Sequence, residues 1–215
     1  MEYQAIIFDL DNTLVDRDAA AVQAYQQWLE QNRPQQAHLL PEIWIREDHG
    51  YADPPAFMAW FRATFSLEIE DQAFFDELRP ALIAALQPYL GVDRLLAELG
   101  ARYRLAVLTN GHAIGQRQKL QVTKVGSYFL PENIFVSGEM GVAKPEKAIF
   151  ASVLAHLGLA ASAVLMVGDD PRNDIAGAEA LGIATCWISH GRPWKGKVSP
   201  AHIIAEVHEL NALLL

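Results

Sequence analysis

One feature constrains this chain more than any other: an alternation of short apolar runs with helix-patterned stretches. Residues 5–8, 105–108, 134–136, 164–167 and 183–188 are apolar runs, several of them rich in β-branched residues, and each stops at a polar cluster. Runs this short and this uniformly apolar mark strands covered on both faces. Between them, residues 92–99, 113–122, 145–157 and 175–181 place Ala, Leu, Glu and Lys at helical spacing. Strand followed by helix, repeated, predicts an α/β fold with a doubly wound parallel sheet. Such a sheet binds its ligand outside the carboxyl ends of the strands, so the polar residues that follow each run become the candidates for chemistry.

Residues 15–88 break the alternation and read as consecutive helices, with Trp28, Trp44 and Trp60 and a cluster of phenylalanines from Phe57 to Phe75. The spacing therefore predicts an α/β core domain from residues 1–14 and 89–215, carrying a helical insertion over 15–88. Turns are expected within it at 31–41 and 50–55, where Gly, Pro, Asn and Asp interrupt the helical period. A short strand at 202–205 and a helix from Glu206 close the chain. Its 215 residues suit one domain with an insertion, at the usual ~100 to 200 residues per domain. With 51% hydrophobic and 20% charged residues the composition is globular, which excludes disorder and fibres. The net charge of −9, with no compensating run of Lys or Arg, speaks against nucleic acid polymers and anionic membrane surfaces as partners. No apolar run approaches the ~18 residues that span a bilayer, and no basic segment flanks the first residues, so a cytoplasmic location is expected. The single cysteine, Cys186, excludes an internal disulfide and any Cys-based zinc site, and its apolar surroundings suggest an inert thiol.

The strand ends carry the chemistry. The first run ends in Asp9-Leu10-Asp11-Asn12-Thr13, and side chains two apart in extended chain share a face, so Asp9 and Asp11 point into one space. Two carboxylates this close repel unless a cation binds them or one holds a proton; a simple capped turn is the bland alternative. The second run ends in Thr109-Asn110-Gly111, whose hydroxyl and backbone N–H groups sit at a helix entrance where an anion such as phosphate is favoured, although the same tripeptide also serves as plain turn punctuation. After the third run, Gly138 and Gly141 allow sharp turns and deliver Lys144 to the strand ends, with Pro145 expected as the first residue of a helix. The fourth run ends in Gly168-Asp169-Asp170-Pro171-Arg172-Asn173-Asp174. Asp9, Asp11, Asp169 and Asp174 together place a large negative charge at one sheet edge. A hard divalent cation with oxygen ligands settles it, and Mg²⁺ matches best.

Asp9-Leu10-Asp11-Asn12-Thr13-Leu14, Thr109-Asn110-Gly111, Lys144-Pro145 and Gly168-Asp169 through Asp174 resemble, in order, the four motifs of the haloacid dehalogenase superfamily of phosphohydrolases. The resemblance implies a Rossmann-like core, with residues 15–88 as the small helical cap. It implies Asp9 as the nucleophile that forms an aspartyl-phosphate, and Asp11 as the acid that protonates the leaving group and then activates water. Thr109, Asn110, Gly111 and Lys144 are implied to hold and neutralise the phosphoryl group. Mg²⁺ is implied to lie between Asp9, the backbone carbonyl of Asp11, Asp169 and, directly or through water, Asp174. Asp170 stands where many relatives have serine, leaving a supplementary metal role or a cap open. The second aspartate of the first motif argues for phosphate ester cleavage over dehalogenation. The stretches 109–119, 141–150 and 164–189 look most like nucleoside 5′-monophosphate phosphatases, with phosphoglycolate and sugar phosphatases further away. A phosphomutase and a non-catalytic interaction protein are the rival readings. The expected partner is a small phosphomonoester, the expected assembly a monomer or homodimer. Among the cap residues Trp44, Arg46, His49, Tyr51, Phe57 and Trp60, most are expected to pack the cap, with Arg46 and His49 the better candidates for touching substrate.

Overall fold

A computed structural model describes residues 3–215. Along the chain run β1 (Ala5–Phe8), α1 (Arg17–Asn32), α2 (Leu40–Glu47), α3 (Pro54–Phe65), α4 (Asp71–Ala85), α5 (Val92–Gly100), β2 (Arg104–Thr109) and α6 (Ala113–Val122). They are followed by β3 (Ile134–Val136), α7 (Ser137–Met140), α8 (Lys147–Leu157), β4 (Val164–Gly168), α9 (Gly177–Glu179), β5 (Ala184–Ile188), β6 (His202–Ile204) and α10 (Leu210–Leu214). The six strands form one parallel sheet in the order β3-β2-β1-β4-β5-β6. The order reverses at β1, which makes its carboxyl end the switch point of a doubly wound fold.

Register explains why distant segments meet. Phe8 is paired with Val107 on β2 and with Val167 on β4, so the chain leaves all three strands at one level. The strands have no solvent face at the centre. Ala5 and Ile7, Ala106 and Leu108, Val164 and Met166 point to one side, where Ile149, Phe150, Val153 and Leu157 of α8 cover them. The alternate residues Ile6, Phe8, Leu105, Val107, Leu165 and Val167 are buried on the other side. Each such aliphatic side chain contributes roughly 1.5–3 kcal/mol by leaving water, so a shift of register by one residue is strongly opposed.

The chain divides into two compact units, one comprising residues up to Val15 with Pro88–Leu215, the other Asp16–Gln87. The second is wholly helical and has its own core. Phe57, Phe61 and Phe65 recur every four residues on α3, and the Trp28 ring lies 5.0 Å from that of Phe61, 5.4 Å from Phe65 and 5.7 Å from Phe74. Asp16 starts α1 by accepting the Ala19 N–H at 2.9 Å, and Asp53 starts α3 by accepting the Ala56 N–H at 3.1 Å, with Pro54 and Pro55 in the first turn.

Four boundaries differ from the sequence expectations. The stretch 31–41 is mostly ordered helix: α1 reaches Asn32, a 3₁₀ turn spans Pro34–Leu39, and α2 begins at Leu40. Pro145 does not open α8; the Lys144-Pro145 peptide is cis, Glu146 is still extended, and helical dihedrals begin at Lys147. The stretch 175–181 is a π-helical turn, Pro171–Ala176, continued by the short α9, because the Asp170 carbonyl accepts both Asp174 N–H and Ile175 N–H. After β6, Val207–Glu209 is 3₁₀ and the helix proper starts at Leu210. Among the described residues no helix is long and apolar enough to cross a membrane.

Candidate active site

The carboxyl ends of β1, β2 and β4 and the loop before α8 build one cluster. Asp9 follows β1 directly, its N–H donating to the Val167 carbonyl at 2.9 Å. Lys144 is held by its backbone: the Asn110 amide donates to the Lys144 carbonyl and accepts from the Lys144 N–H, both at 2.9 Å. From there the buried Lys144 ammonium reaches Asp9 Oδ1 at 2.6 Å and Asp174 Oδ1 at 2.7 Å. Asp174 is fixed at its other oxygen by the Asp170 N–H, 3.0 Å away. This approach requires glycine at 168, since a Cβ there would lie 2.2 Å from Asp174 Oδ2. Asp169 completes the group with one oxygen on the Arg192 guanidinium at 3.1 Å, while its carbonyl accepts the Trp187 indole N–H at 2.8 Å.

Burial and charge set the protonation of these groups. Burial, opposed by Lys144 and reinforced by Asp11, pushes the Asp9 carboxyl above the usual carboxylate range. Burial likewise drives Asp174 up to about 7, against the pull of Lys144. For Lys144 burial alone would favour the neutral amine, but Asp174 and Asp9 outweigh it and its pKa rises. One ammonium between two buried carboxylates leaves a deficit of positive charge. Asp9, Asp169 and Asp174 each offer a carboxylate oxygen, and the three atoms lie within 4.8 Å of one another. The donors are all hard oxygens, without sulfur or imidazole, and so fit a small hard divalent cation better than zinc or copper.

The sequence candidates are distributed as follows. Asp9, Lys144, Asp169 and Asp174 converge. The Asp11 side chain lies outside that carboxylate group, held by Lys119 Nζ at 2.8 and 2.6 Å and by the Gln116 amide at 3.0 Å. Thr109 is buried at the end of β2, its hydroxyl oxygen accepting the same Gln116 amide at 2.6 Å. The Gly111 N–H, expected to stand open to phosphate, donates instead to Ser137 Oγ at 3.0 Å, because α7 packs so tightly there that a Cβ on Gly138 would sit 2.7 Å from the Gly111 carbonyl. Asp170 resolves as a cap, accepting the N–H groups of Arg172 at 2.7 Å and Asn173 at 3.1 Å. Arg46 and His49 belong to the helical unit: Arg46 pairs with Glu42 at 3.1 Å and lies 4.6 Å above the Trp60 ring, and His49 pairs with Asp18. Phe57 is core, and Trp44 and Trp60 pack against that core. The buried Cys186 thiol is pushed up to about 12, chiefly by burial, in keeping with an inert group.

Gln116, Lys119 and Arg192 escaped sequence reasoning. Gln116 shares a helix face with the buried Leu120, and a polar residue on a core-facing stripe is a readable signal. Arg192 follows the end of β5, where the strand-end rule applies as well. The same segment carries His190, whose Nε2–H donates to the Asn12 carbonyl at 2.7 Å and steadies the turn after Asp11.

Comparison with known proteins supports the geometry. A family model for haloacid dehalogenase-like hydrolases matches residues 6–188. The pyrimidine 5′-nucleotidase YjjG of Escherichia coli is 28% identical over a 235-position alignment covering 100% of this chain and 99% of that protein. The N-acylneuraminate-9-phosphatase of Rattus norvegicus is 38% identical over 126 residues, 57% of this chain and 50% of its own length. The magnesium-bound crystal structure of YfnB from Bacillus subtilis shares the fold with a TM-score of 0.81, at 24% identity over 100% of this chain and 99% of that one. The chain is thus a hydrolase that belongs to the haloacid dehalogenase-like family, on the side where these relatives are phosphoric monoester hydrolases.

Proposed function

We propose that this protein is a Mg²⁺-dependent phosphatase that hydrolyses a small phosphomonoester through a phosphorylated Asp9, with nucleoside 5′-monophosphates as the preferred substrate class. The observation that carries the reading is the Lys144 ammonium bridging Asp9 Oδ1 and Asp174 Oδ1, at 2.6 and 2.7 Å, beside Asp169. That bridge holds one oxygen of Asp9 and leaves the carboxylate fixed on a strand end, the arrangement an in-line nucleophile needs. Asp9 attacks phosphorus, and the ester oxygen departs with a proton taken from Asp11. Asp11, now a carboxylate, removes a proton from the water that cleaves the acyl phosphate, so the pair returns to its starting state. The Thr109 hydroxyl and the backbone at Asn110 hold phosphoryl oxygens, and Lys144 offsets the charge that builds between Asp9 and the phosphoryl group. Gly111 joins them only if its N–H leaves Ser137. Asp9, Asp169, Asp174 and the Asp11 carbonyl would hold Mg²⁺, which supplies further positive charge at the phosphoryl oxygens when bound. The helical unit serves as cap, with Arg46 and His49 its candidates for the non-reacting end of the substrate. The nucleotide preference rests on the full-length likeness to a pyrimidine 5′-nucleotidase.

The test is a panel of phosphomonoesters assayed with Mg²⁺ and with a chelator, on the natural chain and on Asp9→Asn. Nucleoside 5′-monophosphates should be turned over best, chelation should stop the reaction, and Asp9→Asn should lose roughly 10³-fold or more. Turnover that survives Asp9→Asn or complete metal removal would overturn the reading.

A further inference from the structure

Two side chains one turn apart on α6, Gln116 and Lys119, face the strand ends and grip groups that the proposed chemistry uses. Lys119 Nζ is bidentate on Asp11, 2.8 Å from Oδ1 and 2.6 Å from Oδ2, in a partly buried pair. Gln116 is buried, and its amide nitrogen lies 3.0 Å from Asp11 Oδ2 and 2.6 Å from Thr109 Oγ1. Direction follows from the donors. An amide N–H occupying a lone pair of Thr109 Oγ1 leaves that hydroxyl to donate its own hydrogen elsewhere, as contact with a phosphoryl oxygen requires. An ammonium chelating both Asp11 oxygens fixes the plane of that carboxylate and draws it away from the Asp9–Lys144–Asp174 cluster, where a further negative charge would be repelled.

We propose that Lys119 is a positioning residue for Asp11, with Gln116 tying that carboxylate to the Thr109 hydroxyl, so that α6 sets where the leaving-group proton is delivered. The inference rests on the phosphatase reading and adds a leaving-group rule to it. An alkoxide leaving group needs the Asp11 proton; a nitrophenolate leaves without it. Misplacing Asp11 must therefore slow alkyl phosphates far more than p-nitrophenyl phosphate, whereas damage to the phosphate site or to the fold slows both alike.

The experiment compares kcat and KM for an alkyl phosphomonoester and for p-nitrophenyl phosphate, with saturating Mg²⁺, in the natural chain, Lys119→Met, Lys119→Arg and Gln116→Leu. Thermal unfolding is recorded for each. Lys119→Met should lose roughly tenfold or more in kcat on the alkyl ester beyond its loss on the aryl ester, a fraction of what a general acid supplies. KM should change little. Lys119→Arg, which can also chelate a carboxylate, should restore the alkyl-to-aryl ratio. Gln116→Leu should shift the ratio in the same direction and raise KM through Thr109. Equal losses on both esters, no loss, or an arginine variant that behaves like the methionine one would overturn the inference. Because natural-chain turnover of p-nitrophenyl phosphate tests the phosphatase reading by itself, the two can fail separately. If Lys119→Met does not fold, Lys119→Gln gives the same comparison.

Discussion

Lys144 is the one ammonium shared by two buried carboxylates, with only 2% of its own side chain exposed. Its removal would leave Asp9 and Asp174 facing one another without a counter-charge. Lys144→Met should therefore destabilise the metal-free protein by about 3–5 kcal/mol, the usual cost of breaking a buried ion pair from one side, and should abolish turnover. Urea unfolding in chelator measures the first effect; a loss below about 1 kcal/mol would mean that the carboxylates find another partner or a proton at little cost. The residues legible in the sequence are those that leave a strand end within a few positions: Asp9, Thr109, Asp169. Lys144 was legible because the loop after the third run leads back to that edge. Gln116 and Lys119 were not, because their aim depends on how α6 is rotated about its axis, and the buried Leu120 sets that rotation. Arg192 lies beyond a turn at His190 and Gly191, both at positive φ, whose course no periodicity reveals.

At the scale of elements, the strands were legible to within a residue or two, since burial on both faces leaves them no polar position to blur the ends. The segment after β4 was not. Its Ala, Ile and Leu suit a helix, but Asp170 accepts Arg172 and Asn173 through its side chain and two further N–H groups through its carbonyl, widening the first turn into a π-helix. That local geometry brings Asp174 back beside Gly168, where it meets Lys144. In the helical unit the same 3.6-residue period that marks α3 aligns Phe57, Phe61 and Phe65 on one face. Phe61 is fully buried and touches Trp28, Phe65 and Phe74. Phe61→Ala should cost about 3–5 kcal/mol by opening a cavity in this core. Denaturant unfolding followed by tryptophan fluorescence reads it directly, and a change under ~1 kcal/mol would show that the ring is not part of a packed core.

Over the whole molecule, the chain builds two hydrophobic cores from two sequence styles: alternating strand and helix for the sheet, consecutive aromatic helices for Asp16–Gln87. The change of style at the end of β1 is visible because strands buried on both faces give way to a one-faced helical period. The sheet order is not written in any local pattern. It follows from right-handed crossovers that carry the chain from β1 to β2 and later back past β1 to β4, and this places four separate segments at one edge. The central claim is that this edge transfers a phosphoryl group to Asp9 before water receives it. Rapid mixing with a ³²P-labelled nucleoside 5′-monophosphate and Mg²⁺, followed by acid quench and peptide mapping, tests it most directly. The account expects label in the peptide containing Asp9, released by hydroxylamine and absent from Asp9→Asn; turnover with no protein-bound label at any quench time, or label on another residue, would contradict it.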